Sequence, residues 1–376
     1  MIDRDVVIIG GGLAGLSAGI LFAREGYSVT VLERDEYPRH KVCGEYVGKE
    51  SLPFLKQIGL ELDDPSYPQI HKLQVSDGRG RMMKASLDLG GVGISRWALD
   101  AKLATLANEA GAELATRCKA ELVDYDGELL VVKSAEATYR ARLVLGAWGK
   151  RSNLDVKLAR PHVRGDDPKL DGWIGVKYHI QTDHPADVIA LHNFEGGYCG
   201  ISRVEEGRVC LCYLVQGEAL RDAENSIELL ESSVLRKNPH LDRIWRESLF
   251  LFDKPIAISQ VSFQKRSAAA DGVLFLGDAA GLIAPLCGNG MSMAFRAAQQ
   301  AFLSAGPFLK GAVSRAQMEA DYSRGWSARF SRRLLAGRLL QARFGNEQLT
   351  SGLISVLRIA PFLKRPLIRA THGKPF

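Results

Sequence analysis

Asp5-Val6-Val7-Ile8-Ile9-Gly10-Gly11-Gly12-Leu13-Ala14-Gly15 is the stretch on which the fold turns. Residues 5–9 form a short β-branched apolar run, the pattern of a buried strand. Glycines follow at once, and an alanine- and leucine-rich stretch then reads as a helix running to Gly26. In such a strand–turn–helix, Gly10 makes the turn, Gly12 lets a pyrophosphate approach the backbone, and Gly15 lets helix and strand pack closely. The helix N-terminus, with Leu13 and Ala14 in its first turn, aims free N–H groups at phosphate oxygens. Ser28-Val29-Thr30-Val31-Leu32-Glu33 reads as the second strand and ends in an acid 18 positions after Gly15. That is near the offset of about 20 at which a carboxylate binds ribose hydroxyls. Together these features predict an α/β dinucleotide-binding unit.

The rest of the chain bounds the architecture. At 376 residues, it predicts two interleaved domains, since single domains run to about 100–200 residues. No apolar run reaches the roughly 18 residues of a membrane span, and no basic-then-apolar leader precedes the first strand, so a cytoplasmic protein is expected. The six cysteines (43, 118, 199, 210, 212 and 287) have no CxxC or zinc-site spacing, which predicts neither a disulfide framework nor a bound metal. Charge is uneven. Residues 301–376 hold thirteen Lys/Arg and three Asp/Glu, whereas the whole chain is only +6, leaving residues 1–300 at −4.

Beyond Glu33 lies a polar loop, Arg34-Asp35-Glu36-Tyr37-Pro38-Arg39-His40-Lys41-Val42-Cys43-Gly44-Glu45. Arg34, Arg39 and Lys41 are placed to offer cations to a diphosphate. Residues 68–90 read as two strands around Asp77-Gly78-Arg79-Gly80. Ser95 caps a helix that Gly111 ends. Arg96 stands in its first turn, where a cation gains nothing from the helix dipole and an external anion would explain it. Residues 119–145 hold three short strands and lead into Gly146-Ala147-Trp148-Gly149-Lys150-Arg151-Ser152. Residues 173–215 alternate as an antiparallel sheet, and a helix is expected over 222–237. The apolar strand Val273-Leu274-Phe275-Leu276 runs into Gly277-Asp278, followed by Pro285-Leu286-Cys287-Gly288-Asn289-Gly290-Met291 and a helix to about Ala305.

These segments, in this order, resemble the FAD-dependent enzymes of para-hydroxybenzoate hydroxylase fold. The Lys41–Glu45 loop looks most like the branch of geranylgeranyl reductases, flavin-dependent halogenases and related monooxygenases. The resemblance implies a Rossmann-like FAD-binding domain of residues 1–67, 93–171 and 260–307. It implies an interleaved antiparallel-sheet substrate domain of residues 68–92 and 172–259, and a basic helical segment of residues 308–376. It also implies that Gly10, Gly12, Leu13, Ala14 and Gly15 hold the pyrophosphate, that Glu33 holds the adenosine ribose, and that Arg34, Lys41 and Arg96 approach the phosphates. Gly277 and Asp278 would hold the ribityl chain. Pro285, Gly288, Asn289, Gly290 and Met291 would lie against the flavin, whose reduced N1–C2=O edge a helix N-terminus stabilises.

Three departures stand out. Trp148 replaces the aspartate of the family's GADGxxS stretch, which bears on NAD(P)H as electron donor and leaves a separate reductase partner as the other choice. The WxWxIP motif of tryptophan halogenases is absent. Cys43 stands where geranylgeranyl reductases also carry a cysteine near the flavin. Either it assists the site, with Lys41 favouring its thiolate, or it is a small residue that fits close to the ring.

The reaction is less legible. The first expectation is a monooxygenase that hydroxylates a lipophilic aromatic or polyketide-like substrate through a peroxyflavin. The second is a geranylgeranyl-reductase-like enzyme that passes hydride from reduced FAD to a prenyl double bond. A non-catalytic FAD-binding module is the third. Substrate contacts are expected among Trp173, Lys177, Tyr178, His179, Tyr198 and Tyr213, with Cys43 and His179 as catalytic candidates. The tail, with Arg315, Arg324, Arg329, Arg332, Arg333, Arg338 and Arg343 among apolar residues, predicts either peripheral membrane contact or a helix packed over the FAD domain. No motif supports nucleic-acid binding.

Overall fold

A computed structural model describes residues 1–165, 170–341, 344–369 and 373–376, so Arg343 lies outside the described residues. Two sheets organise the chain. In the first, strands Ala269–Ala270, Val273–Phe275, Thr138–Gly146, Ile2–Ile9, Val29–Leu32 and Glu113–Ala115 lie side by side in that order. The four pairings from Val273–Phe275 to Glu113–Ala115 are parallel, and Ile9 stands level with Leu32 on one side and Gly146 on the other. Gly146 is in turn level with Phe275. The loops after Ile9, Leu32, Gly146 and Phe275 therefore leave the sheet at one edge, the carboxyl end where open α/β sheets bind ligands.

Helices cover this sheet as the sequence predicts. The first spans Leu13–Arg24. Ser95 caps the next, Arg96–Glu109, by accepting from the Ala98 N–H at 3.1 Å. The helix expected from Gly288 begins at Gly290 and runs to Leu309.

The second sheet takes strands Leu249–Phe250, Trp173–Gln181, Val209–Gln216, Gly197–Arg203, Val188–Phe194, Gln69–Ser76, Met82–Gly93 and Tyr46–Gly48 in that order. Ile256–Val261 adds to Trp173–Gln181. The four strands within 173–216 pair antiparallel as expected. The sheet as a whole is mixed, however, because Val188–Phe194 runs parallel to Gln69–Ser76. The helix expected over 222–237 is broken into Gly217–Asp222, Ile227–Ser233 and a 3-10 turn at Leu235–Lys237. Glu224 and Asn225 interrupt it with left-handed φ of 55° and 59°, a conformation no α-helix continues through.

The tail divides its work. Helix Arg315–Gln341 buries Met318, Tyr322, Trp326 and Phe330, a stripe spaced by four, against the helix Gly290–Leu309. The Tyr322 hydroxyl donates to the Phe275 carbonyl at 2.6 Å, fastening this helix to the first sheet. Helices Glu347–Ile359 and Lys364–Arg369 instead pack on Met82–Gly93 of the second sheet, Glu347–Ile359 also touching Val188–Phe194. No helix among the described residues is long and apolar enough to cross a membrane, and the six cysteines are free.

Candidate active site

The glycine turn shows which glycines the protein itself requires. Gly10 has φ +108°, and a Cβ there would lie 2.4 Å from the Ala147 carbonyl oxygen. A Cβ on Gly15 would lie 1.9 Å from the Gly10 carbonyl oxygen, so helix and strand touch through it. At Gly12 the protein leaves room, since the one neighbour within 4 Å is the Lys41 Nζ at 3.9 Å. Nothing in the fold forbids a side chain at Gly12, which fits a space kept for a ligand.

Glu33 ends its strand with Oε2 accepting from the Gly11 N–H at 2.7 Å and pairing with Arg39 at 2.8 Å. Burial works to raise its pKa, but Lys41 and Arg39 outweigh burial and hold it below the ordinary carboxylate value. Arg39 also donates to the Gly11 carbonyl at 3.0 Å. It therefore clamps the turn rather than standing free for a diphosphate. Arg34 points into solvent beside Asp35. Arg96 has found its anion in its own helix, donating to the two oxygens of buried Asp100 at 2.6 and 2.8 Å.

Lys41 remains without a carboxylate in ion-pair range among the described residues, and burial and the Arg96 guanidinium bring its ammonium down to about 8. Asp278 is its counterpart. Its half-buried carboxyl has no hydrogen bond or ion pair among the described residues, and Arg266, Arg96, Lys150 and Lys41 surround it at longer range. Burial raises its pKa against those cations. An open face at Gly12, an unpaired ammonium and an unpaired carboxyl at one sheet edge fit the pyrophosphate and ribityl hydroxyls of FAD.

Trp148 has a partner that replaces the family pattern. Its indole N–H donates to Asp155 at 3.1 Å, and its ring packs edge-on against Phe275. Asp155 also pairs with the fully buried Arg160 at 2.7 Å. The Arg160 guanidinium lies 3.6 Å over the Phe275 ring and donates to the Ala279 carbonyl at 2.8 Å. The loop after Gly146 is thereby tied to the loop carrying Asp278.

In the loop before the helix Gly290–Leu309, expected to lie against the flavin, Gly288 takes φ +67°, and a Cβ there would come within 3.1 Å of the Tyr46 ring. Asn289 and Met291 are buried, with Gly290 opening the helix. Across from them, a Cβ on Gly48 would lie 3.1 Å from the Ser292 hydroxyl, which meets that of Ser51 at 2.8 Å.

Behind this loop lies a group that sequence reasoning quoted but did not assign. Glu45, in the left-handed region at φ 55°, is wholly buried. Its Oε1 accepts from the Arg96 backbone N–H at 2.6 Å and the Lys177 ammonium, and its Oε2 meets His179 Nε2 at 2.6 Å. Burial would raise its pKa, but Lys177 and His179 outweigh it and hold Glu45 at about 2. The available signal was the i, i+2 spacing of Lys177 and His179, which puts both on one face of their strand. Cys210 brings a third donor atom within 4.8 Å of Glu45 and His179, but Lys177 already occupies the carboxylate.

Of the two readings of Cys43, the surroundings favour the small neutral residue over the thiolate. Burial pushes its pKa up and the Arg96 guanidinium only partly offsets this, so the group is held as a thiol. Its Sγ accepts from the Glu45 N–H at 3.5 Å.

The substrate candidates separate by sheet face. Lys177, His179 and Tyr198 share the sheet face towards the Glu45 loop. Tyr178 and Tyr213 face the other way, and both hydroxyls donate to Glu231 Oε1 at 2.9 Å. They are structural, against expectation, because alternate residues of a strand point to opposite faces. Trp173 is buried against Phe263.

On the Glu45-loop side the sheet walls a cavity of about 100 Å³. Leu73, Val75, Met83, Leu87, Ile189 and Leu191 form its floor, and Tyr46, Leu286, Cys287 and Gly288 its flavin-loop end. Leu340, Phe344, Leu353, Ile354, Leu357, Leu367 and Ile368 roof it, with Thr350 and Lys364 the polar side chains besides Tyr46. The roof comes from the tail, which the sequence did not connect with the site.

Comparison with known proteins agrees with this geometry. The model of the family described as "FAD binding domain" matches residues 3–324. Menaquinone reductase of Mycobacterium tuberculosis is 26% identical over 309 residues, 77% of this chain and 73% of that protein. Conditioned medium factor receptor 1 of Dictyostelium discoideum is 26% identical over 332 residues, 80% of this chain. The match spans only 62% of that receptor's length. Among solved structures, a geranylgeranyl bacteriochlorophyll reductase-like protein of Thermoplasma acidophilum superposes with TM-score 0.79 at 20% identity, covering 95% of this chain and 92% of that one. The unpaired Lys41 and Asp278, the space at Gly12 and the match over residues 3–324 converge: the chain belongs to the FAD binding domain family and is an FAD-dependent oxidoreductase.

Proposed function

We propose that the protein reduces a carbon–carbon double bond in the prenyl chain of a lipid. The observation that carries this reading is the cavity, whose wall from Gly288 to the tail helices is almost wholly hydrocarbon. Such a wall suits a long apolar chain and offers few groups to orient a polar one. When bound and reduced, FAD supplies the hydride. The second alkene carbon needs a proton, and protonated groups stand at the flavin-loop end. Burial raises the Cys287 thiol to about 12, and Tyr46 buries a hydroxyl with no hydrogen-bond partner among the described residues. The floor and roof hold the chain and exclude water. The menaquinone reductase relative supports a lipid substrate.

A second reading is hydroxylation of a lipophilic aromatic compound. It is favoured by the buried hydroxyl of Tyr46, which lacks a hydrogen-bond partner among the described residues and suits a polar ring substituent.

One experiment separates the two. The FAD-loaded protein is reduced with dithionite without air, mixed with a prenyl alcohol, whose reducible bonds are its alkenes, and the product is weighed by mass spectrometry. A product carrying two added hydrogens is expected. A product that forms only after oxygen is admitted and carries one added oxygen overturns alkene reduction in favour of hydroxylation. Cys43→Ala, with FAD content as control, reports whether the buried thiol contributes to turnover.

A further inference from the structure

The apolar cavity reaches the surface at the last helices, and what lies there is unusual for a water-facing surface. Ile359 is 86% exposed, Phe362 75% and Leu363 40%, three large apolar side chains within five residues. Val356, one turn earlier, is 51% exposed. On the inner side of the same segment, Leu357 is buried against the cavity, and half-buried Lys364, Leu367 and Ile368 line its end. The segments on either side of the exposed turn at Pro361 thus supply Leu357, Lys364, Leu367 and Ile368 to the cavity lining.

Charge says what covers it. Residues 348–376 carry five Lys/Arg and no Asp/Glu. Arg365 and Arg369 both pair with Asp88, a cluster that retains a positive surplus. Exposed Arg358 has no ion pair among the described residues. An apolar tip ringed by cations matches the apolar core and anionic headgroups of a bilayer, where insertion and charge each supply part of the attachment. An exposed apolar patch of this kind in a monomer marks an interaction site.

We propose that the segment Val356–Arg369 docks on an anionic membrane, inserting Ile359, Phe362 and Leu363, so that the cavity opens into the acyl-chain region. A lipid chain then enters sideways from the bilayer without crossing water. Docking stands on the exposed residues alone; the entry route rests on the cavity being the substrate site, as proposed above.

The test uses the FAD-loaded full chain and sedimentation with phosphatidylcholine vesicles, with and without phosphatidylglycerol. The parent protein binds the anionic vesicles, and salt weakens binding. Ile359→Asp/Phe362→Asp lowers the partition coefficient by about tenfold or more, whereas Leu249→Asp, at an exposed leucine of the second sheet, leaves it unchanged. Circular dichroism melting and flavin absorbance confirm that the variants fold. A parent that stays in the supernatant, or a double variant that binds as the parent does, overturns the proposal. If docking holds, the double variant also loses turnover of vesicle-borne substrate while keeping it for a short prenyl alcohol dispersed in detergent. Vesicle binding with no alkene reduction in either format would retain docking and remove the reductase reading.

Discussion

The Lys177 ammonium meets the Glu45 carboxylate at 2.5 Å with neither side chain exposed to solvent. Removing Lys177 would leave the buried Glu45 carboxylate with only His179 and the Arg96 N–H against it. Lys177→Met is therefore expected to cost about 3–5 kcal/mol of folding stability. Glu45→Gln combined with Lys177→Met should recover part of that loss, and urea denaturation of the three variants measures both.

The same carboxyl sets an acid limit. Glu45 sits at about 2 in the folded protein, against 4.5 for an ordinary glutamate. The folded state binds this proton less readily than the unfolded state, so the stabilisation is complete above about pH 4.5 and is lost as pH falls towards 2. The difference is worth about 3 kcal/mol. His40 adds a loss that begins earlier, since burial and Lys177 lower it from 6.5 to about 4. Stability measured from pH 7 to pH 2 should fall in that order, and Glu45→Gln should flatten the lower part of the curve.

Two glycines make opposite predictions. Gly12→Ala meets no protein atom closer than 3.9 Å, so the apoprotein should melt within about 0.5 kcal/mol of the parent. FAD affinity, followed by fluorescence titration, should fall by about tenfold or more as the methyl group fills the phosphate space. Gly15→Ala drives a methyl group to 1.9 Å from the Gly10 carbonyl and should impair folding itself. Equal FAD affinity in Gly12→Ala and the parent would remove Gly12 from the cofactor site.

Leu73 lies on the cavity floor, on the strand Gln69–Ser76. Leu73→Trp shortens the space without touching the glycine turn. It should raise KM for long prenyl substrates more than for short ones and leave flavin content unchanged. A uniform effect across chain lengths would show that the chain does not reach Leu73.

The glycine turn and the Ser95 cap were legible because their signals are local. Gly10 and Gly15 answer to contacts within one strand–turn–helix, and the Ser95 cap to the N–H of Ala98. The substrate end depends on which sheet face is covered by what. Trp173–Gln181 is largely buried on both faces, so its residues show no clean alternation from which to separate Lys177 from Tyr178. The partner of Arg96 was four residues away at Asp100, but choosing between it and an external anion needed the folded helix. Cys43 shows the limit of reading charge from neighbours: Lys41 is close in sequence, yet burial governs the thiol. The cavity roof could not be read at all, because it joins residues around 190 and 354 that share no sequence pattern.

The parallel pairing of Gln69–Ser76 with Val188–Phe194 has a kinetic consequence. Ser76 Oγ and His192 Nδ1 meet at 2.8 Å across 116 positions of chain. Between them run the strands Glu113–Ala115 and Thr138–Gly146 of the other sheet. The second sheet therefore closes only after a long loop has been drawn together, and such non-local pairing folds slowly. Residues 172–259 excised alone would leave the backbone of Val188–Phe194 as an open edge, a template for aggregation. The lobe is not a portable module; it is completed late, by a strand made early.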